Sequence, residues 1–231
     1  MKTRIVYVKG HEGSEDQAKT ALESLLRNGW DAYMEPGVTP ETLHLHDRGF
    51  SDTINGRLID FFNENKQVYY RKKSCVYNTI NFAYQVREAG YPMASVEHDV
   101  IAVGSWYNYP VDEFCVLTYQ FLKQPPSPLS QPRYRNFKLN GTTLGLNDFP
   151  SDWPIVNNRN NIWKGGLMPA GGMMGYVLTP KGADKIIKAV EENGIDQCEF
   201  MVTSKIVRLQ YVWPSPINFS PINYNLSGKK D

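Results

Sequence analysis

Glu97-His98-Asp99 is the segment of this chain whose residue types and spacing could most directly do chemistry. It follows Met93 to Val96, a short run of small and apolar residues that reads as a strand, so it falls where open α/β sheets bind ligands. Side chains two apart in an extended segment point the same way. Glu97 and Asp99 can therefore present two carboxylates to one cation while His98 points elsewhere. A hard divalent ion such as Mn²⁺ or Mg²⁺ takes oxygen ligands and shares itself with a diphosphate, and Mn²⁺ also accepts imidazole. Read alone, the same triplet also fits a solvated turn at a strand end. Arg71-Lys72-Lys73 is a second charged run, in which Lys73 could supply positive charge to a diphosphate or simply belong to a solvated basic turn.

Other residues carry weaker signals. Gly171-Gly172 and Gly175 would let backbone approach a sugar closely, with Met173 and Met174 lining the wall, or would serve as turn and core residues. His44 and His46 lack a third ligand nearby and read as surface histidines. Trp106, Tyr107, Trp153 and Trp163 could stack on a sugar or base, although such aromatics commonly fill core. The chain has no GxGxxG, P-loop or GxSxG motif, so dinucleotide, NTPase and hydrolase readings have no motif support.

The elements that must position these groups are legible in outline. Arg4 to Val8 reads as a strand, followed by a polar loop at Lys9-Gly10. A helix capped by Ser14, with Gln17 completing a capping box, carries Ala18, Ala21, Leu22, Leu25 and Leu26 on one face and stops at Gly29. Trp30 to Met34 returns as a strand, which makes a βαβ unit. Ile54, Leu58, Phe61 and Phe62 recur at helical spacing after a cap at Ser51, and Ser74 caps a helix running towards Gly90. Glu113 to Tyr119 and Met173 to Leu178 read as further strands. Thr179-Pro180 opens a helix that Asn193-Gly194 closes, and a helix from Glu199 to Ile206 precedes a strand from Val207 to Val212.

Strands alternating with helices, with no repeat and no second hydrophobic centre, predict one α/β domain over residues 1–231 with an irregular, loop-rich region at about 124–161. Charged residues make up 21% of the 231, hydrophobic ones 41%, and the formal net charge is +1, which is ordinary for a globular protein rather than a disordered or membrane one and leaves any nucleic-acid contact to a local patch. Cys75, Cys115 and Cys198 form no CxxC pair and read as reduced, buried thiols. With no signal-peptide pattern and no run approaching a membrane span, a soluble cytoplasmic protein is expected.

In order along the chain, these pieces resemble glycosyltransferase family 25, the group of lipopolysaccharide-biosynthesis and collagen galactosyltransferases. The likeness covers about Ile5 to Pro214 and is carried by Cys75-Val76-Tyr77-Asn78, Ala94 to Val100, Gly171 to Leu178, Ala183, and Asp196 to Glu199. Asn78-Thr79 replaces the family's Ser-His pair, and His98 replaces the middle Asp of its Glu-Asp-Asp. The resemblance implies a GT-A, Rossmann-like domain with a mixed, mostly parallel central sheet flanked by helices, a nucleotide-sugar donor and a divalent metal. It places the metal at Asp99 with Glu97. It places the donor around Val8, Lys9, Gly10, Lys73, Asn78, Glu97, His98 and Gly172, and the catalytic base at Glu199 or Asp196.

The expected activity is transfer of a sugar, with a UDP-sugar as the favoured donor, to a hydroxyl on a glycan or lipid-linked saccharide. A second reading makes the acceptor a hydroxymethylated base in DNA, supported by Lys123, Arg133, Arg135 and Lys138 with Tyr134 and Phe137 interleaved. A third is a degenerate module that binds a glycan or partner without turnover.

Overall fold

A computed structural model describes residues 1–117, 141–149, 162–167 and 173–220. The Gln124-Pro128 stretch, most of the irregular region, the basic run with its aromatics, Trp153 and Gly171-Gly172 lie outside the described residues.

The chain starts with the strand β1 (Lys2–Tyr7), the helix α1 (Glu12–Arg27) and the strand β2 (Asp31–Pro36), and β1 and β2 pair in parallel. Helix α1 begins two residues before Ser14. His11 is the N-cap, its Nδ1 accepting from the Ser14 amide at 3.3 Å, while the Ser14 hydroxyl accepts from the Val8 amide at 2.9 Å. Ser14 is thus spent on holding the loop after β1. Ala18, Ala21 and Leu25 are buried as their spacing predicts, whereas Leu26 is 52% exposed.

Three helices follow β2: α2 (Leu43–His46), α3 (Arg57–Glu64) and α4 (Lys66–Ala89). The α3 pattern does not include Ile54, which is 79% exposed, because Asn55 turns the backbone at φ 57° and the helix starts after Gly56. Helix α4 starts two turns earlier than Ser74. Asn65 caps it, with Oδ1 accepting from the amides of Gln67 and Val68, and Gly90 ends it in the left-handed region at φ 72°. Ser74 instead donates to the Tyr70 carbonyl inside the helix.

The remaining strands are β3 (Met93–Glu97), β4 (Val100–Ala102), β5 (Phe114–Val116), β6 (Gly145–Asp148), β7 (Gly175–Leu178), β8 (Leu209–Trp213) and β9 (Ile217–Phe219). Between β7 and β8 lie α5 (Pro180–Asn193) and α6 (Cys198–Met201). Thr179 caps α5 with Pro180 behind it and Gly194 closing it, as the residue types require. The expected helix from Glu199 to Ile206 is reduced to the four residues of α6.

Seven strands form one mixed sheet in the order β2-β1-β3-β7-β5-β8-β6, and β4 pairs with β9 in a separate two-stranded sheet. Five of the seven run one way; β7 and β6 oppose them. Helix α1 packs on one face through Ala18, Ala21 and Leu25 against Ile5, Ala94 and Val96. Phe82, Ala83 and Val86 of α4 and Ala183, Ile186 and Ile187 of α5 cover the other face against Met93, Phe114 and Tyr176. No described helix is long and apolar enough to cross a membrane.

Arg4 locks β1, β2, β3 and α4 together. Buried to 2% exposure, it donates to Ser95 Oγ at 3.2 Å, Glu35 Oε1 at 3.0 Å and the Asn78 carbonyl at 2.9 Å, and its guanidinium lies over the Phe82 ring. A second lock is Glu113, at the amino end of β5. Its Oε1 meets Lys185 at 2.6 Å and Lys181 at 3.0 Å, and its Oε2 accepts from the Arg208 amide at 2.7 Å. Burial raises the Glu113 pKa, but the bonds from Lys185, the Arg208 amide and Lys181 outweigh it and leave the carboxyl below its ordinary 4.5. A depressed folded-state pKa contributes stability that is complete above the unfolded value and disappears as pH falls through the folded one. Glu113→Gln is therefore expected to cost about 1.5–3 kcal/mol at neutral pH and to shallow the loss of stability below about pH 5. Urea melts of both proteins between pH 3 and 7 check this; parallel curves would exclude a charged role for Glu113.

Candidate functional site

From β1 the chain goes through α1 to β2 on one side, then crosses back through α4 to β3 on the other side of β1. The crevice between the carboxyl ends of β1 and β3 is the topological switch point, where α/β sheets open to ligands. Val6 is in register with Glu97, so the loop from Val8 to His11 lies beside Glu97-His98-Asp99. Gly10 takes φ 82° in that loop and its amide donates to Glu15 at 2.7 Å; Lys9 and Gly10 are exposed. Gly37, after β2, donates to the Tyr7 carbonyl at 2.8 Å, and a Cβ there would meet Val6 Cγ1 at 2.7 Å.

Alternation along β3 sends Met93, Ser95 and Glu97 to the α4 face and Ala94 and Val96 to the α1 face. Two backbone bonds frame the acidic turn: the Glu97 amide donates to the Met174 carbonyl at 2.8 Å and the Ser220 amide to the Asp99 carbonyl at 2.7 Å. Solvent reaches the Glu97 side chain, yet its carboxyl loses most of its hydration. That desolvation, followed by the charges of Asp99 and Glu199 and opposed by Lys72, pushes its pKa up to about 8.

The His98 imidazole is held below its ordinary value by burial, partly offset by Asp99 and the Val6 carbonyl. Burial raises Asp99, with His98 opposing. Asp99 Oδ1 is buried without a hydrogen-bond partner.

Glu199 arrives from α6, about a hundred residues further along the chain, yet its charge acts on Glu97 and on Cys75 and Cys198. On α4, Cys75 is exposed rather than buried, and its thiol is pushed up to about 11 by desolvation and then by Glu97 and Glu199, with Lys72 lowering it. Cys115 and Cys198 are buried, and all three cysteines are free. The charges of Asp99, Glu199 and Lys72 thus act on Glu97, and those of Glu97, Glu199 and Lys72 on Cys75.

Three expected site residues are engaged elsewhere. Asp196 is fully buried; its Oδ1 accepts from the Leu58 amide at 3.1 Å and the Gln197 amide at 2.8 Å, which caps α3 from across the chain. Enclosed in this way it cannot reach an acceptor, so the base assignment to Asp196 is corrected to a capping role. Lys73 Nζ lies 3.4 Å from Asp52 and donates to the Tyr69 hydroxyl at 3.0 Å, which turns it away from a diphosphate. Asn78 uses its amide on Val38, accepting from its N–H at 2.7 Å and donating to its carbonyl at 3.3 Å. Gly172 lies outside the described residues.

Sequence reading passed over Lys72 and took Cys75 for a core thiol. Helical spacing could have found both, because Lys72, Cys75 and Thr79 share one face once the helix is extended back to Asn65. His44 is exposed and His46 meets Asn81 at 3.3 Å, consistent with surface histidines, and Trp163 is fully buried in the core.

A cleft of about 510 Å³ also opens at the opposite end of the sheet, lined by Asp112, Glu113, Asp148, Lys185 and Arg208 among others. Its charges satisfy one another: Arg208 grips Asp148 through two bonds of 2.9 and 2.7 Å, and Lys185 holds Glu113. At the switch point, among the described residues, the charges of Asp99 and Glu199 raise Glu97 and that of Lys72 opposes them. Among the described residues no three His, Cys, Asp or Glu side chains are close enough to enclose a metal ion by themselves. Mg²⁺-type sites commonly use one or two carboxylates together with substrate phosphates and water. Comparison with protein-family models and with curated proteins returns no match.

Proposed function

We propose that this protein is a metal-dependent glycosyltransferase of the GT-A type, moving a sugar from a nucleotide-sugar donor such as a UDP-sugar to a hydroxyl on a glycan or lipid-linked saccharide. The observation that carries the reading is the acidic turn at the switch point, where Asp99 Oδ1 is buried without a hydrogen-bond partner and the charges of Asp99 and Glu199 both act on Glu97. The resemblance to glycosyltransferase family 25 supports it, because Glu97, one of the metal positions it implies, feels the charges of Asp99, the other, and of Glu199, one of its two base positions. Glu97, its pKa pushed up to about 8, holds a proton at neutral pH that a bound divalent cation would displace, so that binding of the metal would release a proton.

Asp99 and Glu97 would hold a Mn²⁺ or Mg²⁺ ion. Bound there, the ion supplies Lewis-acid neutralisation of the diphosphate as it leaves. The loop from Val8 to Gly10, pinned by Ser14 and Glu15, forms the wall available to the nucleoside. Glu199 takes the proton of the acceptor hydroxyl as its oxygen bonds to the anomeric carbon and the bond from that carbon to the diphosphate oxygen breaks.

Calorimetric titration of UDP in the presence of Mn²⁺ and again with EDTA tests the reading. Affinity is expected to rise by roughly tenfold or more with the metal, as a charge-assisted bridge would supply. Equal affinity in the two conditions would remove the metal from the mechanism.

A further inference from the structure

Resting on that reading, we propose that Lys72, and not Lys73, is the cation of this chain that receives the donor's diphosphate. Two neighbouring lysines on a helix point about 100° apart, and their neighbours on α4 show where each face looks. Lys73 shares a face with Tyr69 and Tyr77, and that face meets the segment before α3: Lys73 pairs with Asp52, and the Tyr77 hydroxyl donates to Asp47 at 2.6 Å. Lys72 shares a face with Cys75 and Thr79. Thr79 interacts with Cys198 of α6 and Tyr176 of β7, which directs this face towards the sheet end and Glu199.

Lys72 is half-buried and forms no ion pair with the described residues, although its charge acts on both Glu97 and Cys75. A lysine so placed, close to carboxylates but not clamped by them, remains available to an incoming anion. Divalent metal and Lys72 together would offset the diphosphate's negative charge. Lys73 cannot substitute without abandoning Asp52 in a site where both side chains are largely enclosed, at 13% and 17% exposure.

The test measures binding of UDP, CDP, GDP, ADP and inorganic pyrophosphate, each with Mn²⁺, to the wild type and to Lys72→Gln, Lys72→Arg and Lys73→Gln. Lys72→Gln is expected to weaken the diphosphate that the wild type prefers by roughly tenfold or more, with Lys72→Arg recovering most of the affinity. Lys73→Gln should bind within about twofold of wild type but melt at a lower temperature, because Asp52 loses its partner. In the wild type, the bound diphosphate should also slow maleimide labelling of Cys75 several-fold, a readout that needs no variant to fold. Affinity within twofold of wild type in Lys72→Gln, or unprotected Cys75 in the saturated complex, overturns the assignment and leaves the proposed activity standing. A wild type that binds none of the five anions overturns both.

Discussion

Glu199→Gln is expected to lower sugar transfer by about 10² to 10⁴-fold while metal-dependent binding of the nucleotide diphosphate stays within a factor of two. A base acts only when the acceptor hydroxyl begins to attack, so its loss appears in kcat and leaves donor affinity alone. Asp196→Asn provides the contrast. Its carboxylate is sealed against the start of α3, so the substitution should lower the melting temperature and leave the turnover of the folded fraction near normal. Turnover, UDP affinity and melting temperature measured on both variants separate the two roles. Near-normal kcat in Glu199→Gln would return that residue to an ordinary helix-start carboxylate and move the search for a base to His98.

Asp99→Asn should abolish the gain in UDP affinity that Mn²⁺ brings and reduce transfer by at least about 10²-fold, since a metal acting as a Lewis acid contributes several kcal/mol to the transition state. The same substitution should leave the melting temperature of the metal-free protein unchanged or raise it. Asp99 Oδ1 is buried without a partner and adds to the repulsion felt by Glu97, so the native state carries this carboxylate at a cost that the amide relieves. Activity lost together with stability would instead make Asp99 a structural residue. Circular dichroism and thermal melts in EDTA, beside UDP titrations in Mn²⁺, distinguish these results.

Local rules carried the sequence reading where a residue's neighbours in the chain decide its conformation. Thr179-Pro180 and Gly194 bound α5, Gly90 ends α4, and the apolar run from Met93 to Val96 marks β3, because caps, φ restrictions and strand propensity act over a few residues. The same rules misplaced the starts of α1 and α4. Ser14 and Ser74 are competent caps whose hydroxyls are taken by Val8 and Tyr70, and hydrogen bonding of that kind depends on how the surrounding backbone folds.

By itself the sequence determined an α/β chain with a βαβ opening, a strand ending in two carboxylates on one side, and a late acidic segment whose importance rested on resemblance. Only the tertiary structure decided that β3 lies beside β1 rather than β2, which makes the acidic turn a switch-point site. It also separated pairs that sequence cannot: Asp196 caps α3 while the charge of Glu199 acts on Glu97, and Lys73 is held by Asp52 while the charge of Lys72 acts on Glu97. In each pair the residues are chemically alike and one to three positions apart. What divides them is which side of a short helix or turn packs against the sheet, a choice made by burial of apolar partners far away in the chain.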